Sequence, residues 1–71
     1  MGMFKAMRKN AELKQAYVAY KLNVTQATVS RWERGEIIPE INKIPQLARL
    51  YEKSIEEIVL ALCAMEVANA S

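Results

Sequence analysis

The sequence predicts an all-α fold, a compact bundle of five short helices. The chain has 71 residues, of which 52% are hydrophobic, enough for one packed core but not for two. Apolar residues recur at helical spacing in five segments, and no segment shows the alternating pattern of a half-buried strand. We therefore expect one domain over residues 1–68, followed by a short tail at residues 69–71.

The first two helices are predicted from their apolar spacing. The first runs from Met3 to about Asn10, where Phe4 and Met7 lie three residues apart. The second runs from Gln15 to Leu22 and ends at Asn23, a residue type that tolerates the left-handed backbone. Its apolar stripe consists of Val18, Ala19 and Leu22.

The third predicted helix spans Gln26–Arg34 and has clear signals at both ends. Thr25 is a suitable N-cap, and Gly35 is a suitable left-handed residue after the last turn. Only Val29 and Trp32 are large apolar residues on this helix. The helix should therefore bury a narrow edge and expose a wide polar face. We interpret Trp32 as a core residue rather than as a stacking platform for single strands.

The fourth and fifth helices follow a linker at residues 36–42. Pro39 in this linker prevents helix continuation, whereas Pro45 suits the first turn of a helix, where its missing N–H is tolerated. The fourth helix is expected to bury Ile44, Leu47, Ala48 and Tyr51, which form its apolar stripe. Ser54 and Glu57 form a capping-box pattern, which predicts the start of the fifth helix.

The fifth helix carries two apolar stripes, which indicates two packing partners. The stripe expected to face its own domain contains Ile55, Ile58, Leu62 and Met65. The stripe expected to meet a second copy of the chain contains Val59, Cys63 and Val67. We therefore predict a homodimer through these last three residues. Cys63 is interpreted as a small buried or interface residue rather than as a redox sensor.

The composition argues against enzymes, metal sites and cofactors. The chain has no His, one Cys and two Gly, so zinc sites, catalytic triads and phosphate-binding loops lack their residues. No apolar run reaches the length of a membrane span, and the N-terminus does not resemble a signal peptide. A single Cys is compatible with the reducing cytoplasm. No small-molecule ligand is implied.

The charge of the chain is unevenly distributed. Residues 1–34 carry seven Lys and Arg against two Glu, a net charge of +5. Residues 35–71 carry three Lys and Arg against six Glu, a net charge of −3. A polyanion on the basic side would explain this polarity, although many solvated surfaces are equally uneven.

The second and third helices have the pattern of a helix-turn-helix. Ala19 is small enough for a helix crossing, and Asn23 suits the tight turn. At the outer face of the third helix, amide, hydroxyl, methyl and guanidinium groups match the edges of bases in a major groove. The predicted base-reading residues are Gln26, Ala27, Thr28 and Arg31. Arg31 is also suited to a phosphate contact.

Three segments carry a family resemblance. These are Gln15-Ala16-Tyr17-Val18-Ala19, the run from Val24 through Gly35 with the later Pro39, and Leu47–Tyr51 followed by Ser54–Ile58. Together they resemble the phage-repressor and Cro-like (Xre-type) DNA-binding domains over roughly residues 4–62. The resemblance implies a lambda-repressor-like bundle and a transcriptional regulator, most simply a repressor. A domain this small makes too few contacts for tight specificity, so we expect a symmetric dimer on a near-palindromic double-stranded DNA operator.

The resemblance also implies roles for individual residues. Gln15 contacts a phosphate and supports Gln26, and Arg8 forms a structural ion pair with Glu33 rather than a DNA contact. Asn23 replaces the usual Gly of the turn, and a cation replaces the usual cap of the second helix and can meet a phosphate. The expected phosphate contacts are Lys14, Gln15, Ser30, Arg34 and Lys43.

Two other classes of protein remain open at this point. The DNA-binding half of an antitoxin, from a toxin–antitoxin pair, can share this fold, although no dedicated toxin-binding segment is visible. A helical protein-interaction module without DNA affinity would explain the fold but not the residues of the third helix.

Overall fold

The computed structural model describes the backbone of residues 3–70 and the side chains of residues 3–65. Over this part of the chain the structure is helical, and the all-α prediction is confirmed. The helices are α1 (Met3–Asn10), α2 (Gln15–Leu22), α3 (Gln26–Arg34), α4 (Ile44–Tyr51) and α5 (Ile55–Ala70). A 3-10 turn at Ile41–Lys43, which the sequence did not predict, leads into α4. The domain boundary at residue 68 stays a prediction.

Side-chain caps begin α3 and α5, as their sequences predict. The Thr28 N–H donates to the Thr25 hydroxyl oxygen over 3.1 Å. At α5 the bonds are reciprocal: the Glu57 N–H donates to the Ser54 hydroxyl, and the Ser54 N–H donates to the Glu57 carboxylate. This backbone N–H lowers the pKa of the Glu57 carboxyl. Lys14, at the start of α2, provides no side-chain cap.

The first four helices end in one recurring motif, in which a left-handed residue reverses the chain. These residues are Glu12, Asn23, Gly35 and Glu52, with φ angles of 60°, 59°, 75° and 57°. The next N–H then donates to a carbonyl five residues earlier: Leu13 to Arg8, Val24 to Ala19, Glu36 to Arg31 and Lys53 to Ala48. These bonds satisfy carbonyls that a helix end otherwise leaves free.

The core lies where α2, α3 and α4 meet α1 and α5. Leu22, Leu47, Ile58, Val18 and Val29 are the largest fully buried side chains. α2 packs on α3, α4 packs on α5, and α1 contacts α3 and α4. This arrangement fixes the α2–α3 corner against the rest of the domain and leaves one face of α3 in solvent.

α5 is rotated relative to the sequence-based expectation. Ile58 and Leu62 are buried as predicted, but Ile55, expected on the same stripe, is 54% exposed. Ala61 is completely buried in its place. The buried face of α5 therefore centres between residues 58 and 65 rather than on residue 55.

No helix in the described part of the chain is long and apolar enough to cross a membrane. Among the same residues, no group of Cys, Asp and Glu side chains could hold a metal ion.

Candidate nucleic-acid interface

The corner between α2 and α3 is tight and well anchored. Ala19 is 4% exposed where the helices cross. Asn23 takes the left-handed conformation, and the Val24 N–H closes the turn on the Ala19 carbonyl at 3.0 Å. Lys43 also stabilises the end of α2, because its Nζ donates a hydrogen bond to the Leu22 carbonyl at 2.8 Å. The orientation of α3 is therefore set by its neighbours.

The outer face of α3 is polar and accessible. Gln26, Ala27 and Arg31 are exposed, and Thr28 is half-buried. The Thr28 and Thr25 hydroxyl oxygens lie 2.9 Å apart. The Thr28 hydroxyl is thus already engaged at the helix start, while its methyl group and the Gln26 amide remain available to an incoming surface.

A nearly buried ion pair ties α1 to α3. The Arg8 Nε donates to one Glu33 oxygen at 2.6 Å, and an Arg8 Nη donates to the other at 3.2 Å. The second Nη donates to the Leu13 carbonyl at 2.9 Å. The side chains of Arg8 and Glu33 are 11% and 4% exposed. The hydrogen bond that Arg8 donates to Glu33 raises the pKa of Arg8, although desolvation of the guanidinium opposes this shift.

Gln15 connects this ion pair to the outer face of α3. The Gln15 Nε2 donates to Glu33 over 2.9 Å. The Gln15 Oε1 in turn lies 3.5 Å from the Gln26 Nε2, at the outer limit of a hydrogen bond. A continuous series of polar contacts therefore runs from Arg8 in the domain interior to Gln26 at the surface.

The end of α3 carries a second polar cluster, formed by Ser30, Arg34 and Glu36. The Arg34 Nε donates to Glu36 at 2.7 Å, one Nη donates to the same carboxylate at 3.3 Å, and the other Nη donates to the Ser30 hydroxyl. The hydrogen bond from Arg34 lowers the pKa of Glu36 and raises that of Arg34. Both charged side chains are about half exposed.

The remaining sequence-predicted phosphate contacts lie at the edges of this surface. Lys14 is exposed at the N-terminus of α2. Lys43 is half-buried, and one of its three N–H donors points at Leu22. The lysine amine therefore has two further donors for another acceptor.

Sequence reasoning missed three contacts at this surface. It gave no role to Glu36, it did not join Gln15 to Glu33, and it did not place Lys43 on Leu22. The contact between Arg34 and Glu36 could have been suspected, because the two residues are only two positions apart. The other two join residues 18 and 21 positions apart, and no local sequence pattern indicates them.

The surface of α5 that was predicted to bind a second copy is partly described. Val59 is 39% exposed and Cys63 is exposed. Val67 lies outside the described side chains. Ile55 and Leu60, 54% and 59% exposed, widen this apolar surface beyond the predicted stripe.

The fold and the polar face of α3 agree with a known protein family. The helix-turn-helix model matches residues 4–58, which includes the α2–α3 corner and the polar surface around it. The chain belongs to the Xre-type, lambda-repressor-like helix-turn-helix family. It is therefore a DNA-binding helix-turn-helix regulator. No curated protein and no solved structure matches the chain.

In this helix-turn-helix domain, the outer face of α3 carries side chains that are both polar and exposed to solvent. Two clusters of charged residues, Arg8–Glu33 and Arg34–Glu36, involve residues of α3. The first cluster is buried and fixes the geometry. The second is about half exposed to solvent.

Proposed function

We propose that this protein is a sequence-specific transcriptional regulator, acting as a repressor that binds a near-palindromic operator as a homodimer. One observation supports this above all: Gln26 is exposed at the start of α3 and aligned by Gln15, which is itself anchored on a buried ion pair. A side chain that is positioned before binding loses less entropy on contact.

The proposed recognition helix is α3, lying in the major groove with its N-terminal end toward the bases. Gln26 would pair with a base through two hydrogen bonds, and Arg31 would reach a base or a phosphate one helical turn later. Ala27 and the Thr28 methyl suit contact with a thymine methyl group. These four residues form the proposed base-reading set.

The proposed phosphate contacts flank this set. At the uncapped N-terminus of α2, backbone N–H groups, Lys14 and Gln15 attract an anion together. On the other side, Ser30 and Arg34 present a hydroxyl and a guanidinium, and Lys43 adds an ammonium group. Such contacts position the protein without reading sequence.

The proposed dimer forms through α5. A domain of this size makes too few contacts for high specificity alone, so two copies on one operator are expected. The exposed apolar residues Ile55, Val59 and Leu60, with Cys63, support this surface. Repression would follow from occupation of a promoter in the cytoplasm of a bacterium or of a phage-infected host.

Selection of bound duplexes from a random library tests this proposal. The expected result is a near-palindrome whose half-sites lie about one helical turn, roughly 34 Å, apart. Sedimentation of the complex should give two chains per duplex. A library that yields no enriched sequence, or an enriched single half-site bound by one chain, would contradict the proposed operator.

The same apolar surface of α5 favours one second candidate, the antitoxin of a toxin–antitoxin pair. In that case Ile55, Val59 and Leu60 would contact a toxin rather than, or in addition to, a second copy. A toxin gene adjacent to the coding sequence, together with a stable complex of the two purified products, would favour this candidate.

A further inference from the structure

The amide group of Gln15 is held in one orientation by its neighbour. Glu33 accepts hydrogen bonds from Arg8 through both oxygens, so it is a carboxylate and has no proton to donate. Only the NH₂ end of Gln15 can face such a group, and it does so at 2.9 Å. The oxygen of Gln15 must then point the other way, toward Gln26.

This orientation determines which end of the Gln26 amide turns inward. Because Gln15 offers an oxygen, the Gln26 NH₂ turns toward it, at 3.5 Å. Gln26 is left with one N–H donor and its carbonyl acceptor for an incoming base. The reversed amide would instead turn its oxygen inward and offer two N–H donors.

The two orientations match different purines. Adenine presents an N7 acceptor beside an N6 donor in the major groove, whereas guanine presents two acceptors, N7 and O6. One donor and one acceptor on Gln26 fit adenine, and two donors fit guanine. The orientation of the amide therefore selects between adenine and guanine.

We infer that Glu33 is a positioning residue for base specificity: through Gln15 it fixes the Gln26 amide in the orientation that selects adenine over guanine. This rests on the proposed function of sequence-specific operator binding, and it gives Glu33 a role in specificity besides its structural ion pair. Arg8 holds the Glu33 carboxylate in place through its hydrogen bonds to Glu33, and its own guanidinium is anchored on the Leu13 carbonyl. Glu33 touches no base itself.

The test measures the ratio of affinities for two operators that differ only in one base pair. The position is the one whose preference is lost in Gln26→Ala, and the two duplexes carry adenine or guanine there. For the wild type we expect a preference for adenine of about 5- to 150-fold, the range of one bidentate contact. A wild-type preference for guanine would overturn the inference.

The key variant is Glu33→Gln, which keeps a hydrogen-bonding side chain of the same size but can donate as well as accept. Gln15 is then free to reverse, and the adenine-to-guanine ratio should fall toward one. A purely structural role for Glu33 would lower the melting temperature and leave this ratio unchanged. An unchanged ratio in the folded variant would overturn the inference.

Two further variants keep the test decisive. Gln15→Met removes the polar contacts of Gln15 with Glu33 and Gln26 but leaves the Arg8–Glu33 ion pair intact. The adenine-to-guanine ratio should therefore fall while the melting temperature stays unchanged. If Glu33→Gln does not fold, the pair Arg8→Met with Glu33→Met removes both buried charges together, which proteins often tolerate. Its ratio should also fall, and a retained preference would overturn the inference.

Glu36→Gln is the matched control. It removes one negative charge near the same end of α3, but Glu36 has no contact with Gln15, so the ratio should stay at the wild-type value. Affinity for every duplex can change in these variants without affecting the ratio. A wild type that enriches no duplex would overturn the proposed function, whereas selective binding with equal ratios in all variants would overturn only the inference about Glu33.

Discussion

The ammonium group of Lys43 donates a 2.8 Å hydrogen bond to the main-chain carbonyl of Leu22, at the C-terminal end of α2. Carbonyls at this end of a helix lack partners within the helix and carry partial negative charge. A lysine 21 residues later in the chain therefore holds the end of α2 at the helix-turn-helix corner. The 3-10 turn that leads into α4 is therefore tied to the last residue of α2.

Lys43→Met should lower both stability and the salt dependence of DNA binding. Loss of the hydrogen bond at the helix end should lower the free energy of unfolding by about 1 kcal/mol. Loss of the proposed phosphate contact should reduce the slope of log affinity against log salt by about 0.9. Urea denaturation and salt titration measure the two effects. Lys5→Met, on the exposed face of α1, is the control and should change neither.

Arg8→Met alone should be far more damaging than its combination with Glu33→Met. The single change leaves the Glu33 carboxylate, 4% exposed, without its guanidinium, at a cost of about 3–5 kcal/mol. For a domain this small, that is a large part of the total stability. The double variant removes both charges and should recover much of the loss. Equal denaturation midpoints for the single and double variants would contradict this coupling.

Glu36→Gln should strengthen binding to every duplex. Glu36 engages the Arg34 guanidinium in the free protein, so a phosphate must compete with it for the same donors. Removing the carboxylate charge should raise affinity for non-operator DNA about two- to fivefold, the range expected for one exposed ion pair. Fluorescence anisotropy with a random duplex measures this change.

Two controls separate competition at Arg34 from a general change in charge. Glu40→Gln also removes an exposed carboxylate from the linker and should raise affinity less. In an Arg34→Gln background, Glu36→Gln should lose most of its effect. A gain that persists without Arg34 would show that Glu36 acts through the overall field instead.

Glu52→Gly should stabilise the domain more than Asn23→Gly does. Both residues end a helix in the left-handed conformation, at φ 57° and 59°. This conformation costs an ordinary side chain about 1–2 kcal/mol, whereas Asn tolerates it better. Glycine removes the strain but adds about 0.4–1 kcal/mol of unfolded-state entropy. A larger rise in melting temperature for Asn23→Gly would contradict this account.

The sequence was sufficient to predict the helices because their ends carry specific signals. Thr25 and Gly35 bracket α3, and the Ser54–Glu57 capping box begins α5, so these bounds follow from local chemistry. Glu12 and Glu52 were not recognised as left-handed residues, because Glu has no intrinsic preference for that conformation. At both positions a local backbone hydrogen bond closes the helix end, from Leu13 to Arg8 and from Lys53 to Ala48.

The exposure of the proposed site residues was predictable from the sequence, but the contacts between them were not. The outward positions of Gln26 and Arg31 follow from the apolar spacing of Val29 and Trp32 on α3. The bond between Gln15 and Glu33 depends on how α2 crosses α3, which no sequence spacing specifies. The rotation of α5 depended likewise on packing, because apolar residues surround that helix and its sequence does not distinguish one buried face.

The central claim is that the outer face of α3 reads bases, and the most direct test compares the sequences selected by the wild type and by Gln26→Ala. We expect Gln26→Ala to lose its base preference at one position in each half-site, with a loss of about 1–3 kcal/mol for the wild-type operator. Preferences at the other positions should persist. Identical sequence preferences for the two proteins would contradict base reading by α3.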